Sequence, residues 1–221
     1  MARGVRLHVS GDFACFSRPE MKVERVSYDV MTPTAARGIL EAIHWKPAIR
    51  WQIDAIRVLK PIRFQSIRRN EVQGKISTAS IRRAMKTGQV GNLHLVVEEE
   101  RQQRAATVLV QVAYVIEAHF DMTARAGRDD NPGKHLDTFN RRARRGQCFH
   151  QPSFGTREFA ARFALIEPDA PLPASIDDDR DLGFMLYDID HDNGGASSFF
   201  RARLHRGILR VPPPESSEVR R

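Results

Sequence analysis

Hydrophobic residues change their spacing twice within the first sixty positions, and this alternation of periods constrains the fold more than any other feature. In VRLHVSGDFACF, from Val5, apolar and polar residues alternate, the period of a half-buried strand. In DVMTPTAARGILEAIHWKP, from Asp29, the period becomes helical, with Ala36, Ile39, Leu40 and Ile43 on one face. Thr32 suits the N-cap, Pro33 the first helical position, and Pro47 the end. From Ile49 the alternation returns: Ile49, Trp51 and Ile53 stand against Arg50, Gln52 and Asp54. This is strand, helix, strand.

A second such unit follows. RAATVLVQVAYVIEAHFDM is a long β-branched stretch, and Asn131 and Pro132 open a helix that Gly146 closes. REFAARFALIE alternates again. Between the units, from Pro61 to about Arg104, the chain is basic, short of apolar residues and broken by glycines, with only LHLVV reading as a strand. Removing that insertion leaves β-α-β, β-α-β. The expected class is α+β, a ferredoxin-like (RRM-like) βαββαβ domain of four strands with two helices on one face. The insertion, residues 61–104, is expected to protrude as a basic thumb from a domain spanning 1–168. LGFMLYDID and SFFRARLHRGILRVPP add a small C-terminal antiparallel β extension over 169–211, and 212–221 reads as a loose tail. The fold says little about function by itself. No RNP1-type run appears, so stacking of bases on the sheet is not expected.

Charge narrows the partner. The 221 residues carry a formal net charge of +8, and the sequence pI is about 10.1. That excess favours a polyanion, nucleic acid first. It is also lopsided. Arg57, Lys60, Arg63, Arg68 and Arg69 crowd one segment, and Lys134, Arg141, Arg142, Arg144 and Arg145 another. Asp177, Asp178, Asp179, Asp181, Asp188, Asp190 and Asp192 make a later part acidic. Two cysteines, Cys15 and Cys148, supply neither a disulfide framework nor a zinc set. With no Walker loop, no GxGxxG and no spaced Cys/His ligands, neither metal nor cofactor is expected. No apolar run nears the roughly 20 residues of a membrane span, and the amino terminus alternates rather than forming a signal. The expected location is the cytoplasm.

The second helix carries the chemistry. At about 100° per residue, Leu136, Phe139 and Ala143 share an inward face, while Lys134, Arg141 and Arg145 lie opposite. His135, Thr138 and Arg142 fill the flank. A merely solvated helix intersperses acids at i,i+4, and only Asp137 is available. Unneutralised arginines fit a phosphate backbone, which guanidinium groups bind by charge-assisted bonds. Lys134 and His135 sit at the helix start, where backbone N–H groups favour an anion. A lysine and a histidine there can cut RNA through its own 2′-hydroxyl. Histidine titrates in the range for proton transfer, and lysine supplies fixed positive charge. No metal is required. On spacing alone, most Lys-His pairs are surface accidents.

Other signals are weaker. Asp188, Asp190 and Asp192 mimic the start of an EF-hand, but Asn193 and Phe199 stand where its glycine and glutamate belong, so an acidic turn is expected. His119, within an apolar strand, reads as a core histidine. Trp45 and Trp51 read as core, and Cys148 as a bystander. His150, in the loop after the basic helix, and Arg68 and Arg69, on the thumb, are candidate RNA contacts.

Together, EAIHWKPAIRW, IRRNEV and GKHLDTFNRRARRG, in this order, resemble the type I-C CRISPR endoribonucleases, the Cas-five-family subunit of the type I-C Cascade complex. The resemblance runs over nearly the whole chain. It implies cleavage of the repeat in precursor CRISPR RNA without metal, leaving a 2′,3′-cyclic phosphate and a 5′-hydroxyl. It also implies that the protein stays on the 5′ handle of the mature guide, beside the repeated backbone subunit and the large subunit. The family pairs a Tyr before Trp-Lys-Pro with the Lys and His of Gly-Lys-His. Lys134 and His135 match the second motif. The first departs, with His44 preceding Trp45, Lys46 and Pro47. The implied roles are His44 activating the 2′-hydroxyl, Lys134 stabilising the charge on phosphorus, and His135 protonating the leaving oxygen. The two histidine roles are exchangeable at this stage. Lys46, Arg68, Arg69, Arg141, Arg142, Arg145 and His150 are the expected RNA contacts. The alternative is a subunit that holds the 5′ handle without cutting. A general RNA-binding protein and a small-molecule enzyme are the more distant readings.

Overall fold

A computed structural model describes residues 4–21, 23–91, 93–190 and 194–220. In chain order the elements are β1 (Val5–Ala14), β2 (Arg25–Val26), α1 (Pro33–Ile43), β3 (Ile49–Val58), β4 (Phe64–Val72), α2 (Thr78–Thr87) and α3 (Val97–Glu100). There follow β5 (Arg101–Met122), α4 (Pro132–Arg144), β6 (Arg162–Leu165), β7 (Arg180–Asp190), β8 (Ala196–His205) and β9 (Ile208–Arg210). All strands join one large, mostly antiparallel sheet of order β6-β1-β5-β3-β9-β8-β7, with β2 and β4 also paired to β5.

The helices begin where the caps place them. Thr32 Oγ1 accepts a hydrogen bond from the Ala35 N–H, and Asn131 Oδ1 from the Lys134 N–H. Each has proline at the first position. Ala36, Ile39, Leu40 and Ile43 of α1 are buried as their spacing requires. Helix α1 ends at Ile43, short of Pro47, because His44 is already extended (φ −151°, ψ 116°). Gly146 (φ 64°) takes the left-handed turn after α4, where a side chain would be strained.

Strand β5 is 22 residues long and serves two partners on one edge. Its first half pairs with β4 as far as Phe64 and Leu109, and its second half pairs with β3 from Val58 and Tyr114 onward. Between them Gln111 adopts φ 52°, a local break in the pleat. The segment expected as an irregular thumb is therefore a β-ribbon of β4 and β5 with α2 at its outer end. Its pattern was weak because β4 has only a half-buried, mixed inner face of Ile67, Arg69 and Glu71, and none of its nine residues is buried. LHLVV is not a strand. Leu93–Val96 lie outside any element and Val97 opens α3.

Strands β7–β9 are not set apart. Strand β9 pairs with β3, so the carboxyl-terminal hairpin prolongs the main sheet. The Tyr28 hydroxyl accepts from the Leu186 N–H across a shared core that includes Leu40, Trp51, Ile56, Phe139 and Phe200. The stretch expected as a loose tail also returns to the sheet. Arg220 exchanges two backbone hydrogen bonds with Phe199, and its guanidinium lies 5.0 Å from the Phe184 ring centroid. Among the described residues no helix is long and apolar enough to cross a membrane.

Candidate active site

The site forms where the carboxyl end of α1 meets the start of α4. The last carbonyls of a helix lack internal partners, and here other elements engage them in sequence. Ala42 O accepts from the Phe149 N–H (2.7 Å), Ile43 O from Arg142 Nη1 (2.8 Å) and His44 O from Trp51 Nε1 (2.9 Å). Three separate segments thus hold the backbone on which His44 rides. The imidazole of His44 meets that of His135, 91 residues later: Nε2 and Nδ1 lie 3.1 Å apart, and both rings are no more than 3% exposed. Phe120 closes on the His135 ring edge-on.

The other atoms of this pair are unequally served. His44 Nδ1 is buried with no hydrogen-bond partner. His135 Nε2 lies 3.2 Å from Asp130 Oδ1, off the line of a hydrogen bond. Asp130 is itself held by the Gly127 N–H, which with the charges of His135 and Lys134 keeps its carboxyl below the usual range. Lys134 is exposed, and its Nζ donates to Asp129 O (3.2 Å). The Asp129–Asp130 turn therefore lies against the polar ends of both Lys134 and His135.

Burial lowers the His44 pKa to about 4, assisted by the positive charges of Arg142, His135 and Lys46. An unfolded histidine titrates near 6.5. Between these values the unfolded chain binds a proton that the folded chain does not, so stability falls as pH drops from about 6.5 toward 4. The effect is on the order of 3 kcal/mol for a shift of this size. In His44→Gln the urea midpoint is expected to lose that part of its pH dependence. An unchanged slope between pH 7 and 4.5 would show that His44 is not the group responsible.

The remaining sequence candidates divide. Lys46, Arg141, Arg145 and His150 are exposed, and neither Arg141 nor Arg145 has an ion pair among the described residues. Arg142 is half-buried and caps α1 through Ile43 O. Arg144 is engaged by both carboxylate oxygens of Glu167. Strand alternation separates Arg68 from Arg69. Arg68 faces solvent, whereas Arg69 is drawn into ion pairs with Glu158 (2.9 Å) and Glu71 (3.5 Å), the latter shared with Arg25 and Arg104. His119 is not a core histidine but a partly exposed one bonded to Asp54 (2.8 Å). Trp51 is buried as expected, while Trp45 is 53% exposed. Asp188 is gripped by Arg37 at 2.6 and 2.7 Å; Asp192 and Asn193 lie outside the described residues. Sequence reasoning passed over Asp130, whose only signal was a carboxylate immediately before the N-cap.

This architecture recurs in solved structures. A crystal structure of a CRISPR-associated protein superposes with a TM-score of 0.72 at 23% identity, over all of this chain and 97% of the other. SMU1763c from Streptococcus mutans, titled as functionally uncharacterized, gives a TM-score of 0.67 at 21% identity, over all of this chain and 98% of the other. Both likenesses concern the fold. Sequence relatives are nearer. A protein of Mannheimia succiniciproducens named CRISPR pre-crRNA endoribonuclease Cas5d is 60% identical over the full length of both chains. One of Thermus thermophilus with the same name is 40% identical, covering all of this chain and 96% of the relative. The pattern of the CRISPR-associated protein (Cas_Cas5) family, Cas5d, matches residues 4–212. With that match and those relatives, the chain belongs to the Cas5d family of CRISPR-associated proteins.

Proposed function

We propose that this protein is an endoribonuclease that cuts precursor CRISPR RNA within the repeat by a metal-independent, 2′-hydroxyl-driven reaction. It then remains on the 5′ handle as a subunit of the type I-C interference complex, next to the backbone and large subunits. The names of the 60% and 40% identical relatives support the substrate class. The observation that carries the mechanism is the His44–His135 contact, which joins two distant positions in one polar unit. The strand order β6-β1-β5-β3, crossed by α1 and α4, supports a ferredoxin-like core within residues 1–168, with the β4/β5 ribbon as thumb and 169–211 as its extension.

The pair acts as a proton relay. The unpartnered Nδ1 of His44 accepts the 2′-hydroxyl proton while its Nε2–H passes to His135 Nδ1. His135 Nε2–H then goes to the departing 5′-oxygen. The 2′-oxygen bonds to phosphorus, the P–O5′ bond breaks, and the products are a 2′,3′-cyclic phosphate and a 5′-hydroxyl. No net charge is left on either ring, which suits a His44 that resists protonation. Lys134 stabilises the added negative charge on phosphorus. The exposed Arg141, Arg145, Lys46, Arg68 and His150 hold the flanking backbone.

RNA must displace the Asp129–Asp130 turn to reach these atoms. Asp130→Ala is expected to raise cleavage at subsaturating RNA by a few-fold, since removing a carboxylate from a phosphate site relieves like-charge repulsion. A loss of more than tenfold would instead make Asp130 an orienting partner of His135. The burial of both imidazoles favours the second reading, a handle-binding subunit that does not cut. Incubating purified protein with labelled repeat RNA and EDTA decides between them. Cleavage to a cyclic phosphate, abolished by a single 2′-deoxy substitution at the cut, is the expected result.

A further inference from the structure

Trp45 stands beside the relay but on the other side of the chain. His44 is extended, so consecutive side chains diverge: His44 turns into the interface with α4, and Trp45 turns outward, 53% exposed. The indole lines an open groove of about 790 Å³ between the start of β3 and the β7/β8 hairpin, whose other walls include Tyr187, Ser197 and Ser198. That volume falls within the roughly 300–1,000 Å³ of small-molecule-sized sites. Its charge differs from that of α4. Arg37, Arg50 and Arg125 on the groove are balanced by Glu41, Asp188 and Asp190, and Asp188 is held by Arg37 with Arg50 at 3.6 Å. A phosphate gains little from such a surface. A neutral, flat group with hydrogen-bonding edges gains an aromatic face, two hydroxyls and a guanidinium.

We propose that this groove is a base-reading subsite, in which one unpaired nucleobase flanking the cleaved linkage stacks on Trp45 and presents its edge to Arg50, Ser197 and Ser198. Unpaired bases are the part of an RNA that proteins read by stacking and edge contacts. The cationic face of α4 holds the phosphates, so backbone grip and base choice fall on different surfaces. The inference rests on the proposed endoribonuclease reading, since it uses the adjacency of Trp45 to His44.

The test uses repeat RNA made uncleavable by a 2′-deoxy group at the cut, with abasic residues placed one at a time in the single-stranded flank. With the wild-type protein, one abasic position is expected to weaken binding at least about fivefold, the low end for a stacked base. Trp45→Ala is expected to weaken the intact RNA by as much and to lose sensitivity to that position, and Trp45→Phe to retain most of it. Equal affinities for wild type and Trp45→Ala, with the same abasic sensitivity, would overturn the subsite. That result together with failed assembly of the variant with partner proteins would assign the groove to a protein. Parallel reactions on cleavable RNA separate the two levels of the claim. A Trp45-dependent abasic effect in a protein that cuts no repeat RNA would retain the subsite and remove the nuclease reading.

Discussion

Replacing Lys134 by alanine is expected to slow single-turnover cleavage of repeat RNA by about 10²–10³-fold, the effect of removing one donor that stabilises transition-state charge. Lys134 is exposed and the one hydrogen bond described for its side chain is to a backbone carbonyl, so the fold should survive its loss. Affinity for the RNA should change by a few-fold at most, because Arg141, Arg145 and Arg68, the proposed phosphate contacts, remain. A loss confined to the chemical step separates Lys134 from those residues. If the variant instead binds weakly but cuts at the wild-type rate when saturated, Lys134 is one more backbone contact.

The second large effect concerns the other end of the relay. His135→Ala removes the group assigned to protonate the leaving oxygen, and general acid catalysis is worth about 10²–10⁴-fold. A substrate whose 5′-oxygen at the cut is replaced by sulfur departs as a stable thiolate and needs no such proton. The variant should recover part of its rate on this substrate, short of wild type because His44 still lacks its proton acceptor, whereas Lys134→Ala should stay slow on it. Recovery would also show that the buried substitution left the site folded. A His135→Ala protein equally slow on both substrates would assign His135 a structural role.

Helices α1 and α4 and the core were legible because caps and periodicity act locally, whereas α2 and α3 were not read. Thr32-Pro33 and Asn131-Pro132 set helix starts that neighbouring residues alone enforce. Strand β4 was not legible, since its half-buried face carries Ile67, Arg69 and Glu71 rather than an apolar alternation and its pairing is nonlocal. The juxtaposition of His44 and His135 followed from family resemblance, and nothing in their spacing reveals it. Side-chain engagement was the least legible feature. Arg69 and Arg142 look like neighbouring surface cations in a linear sequence. Strand alternation turns Arg69 toward Glu71 and Glu158, and the unmet carbonyl of Ile43 captures Arg142. Trp45 misled for a similar reason: the helix ends at Ile43, so its periodicity no longer directs the next side chain inward.

A double-mutant cycle on single-turnover cleavage, in chelator, tests the relay most directly. If His44 and His135 pass one proton between them, removing both should cost no more than the worse single substitution. The account predicts that His44→Ala/His135→Ala cuts at the rate of the slower single variant. Penalties that multiply would mean that the two imidazoles act independently, and the 3.1 Å contact between them would have no part in the reaction.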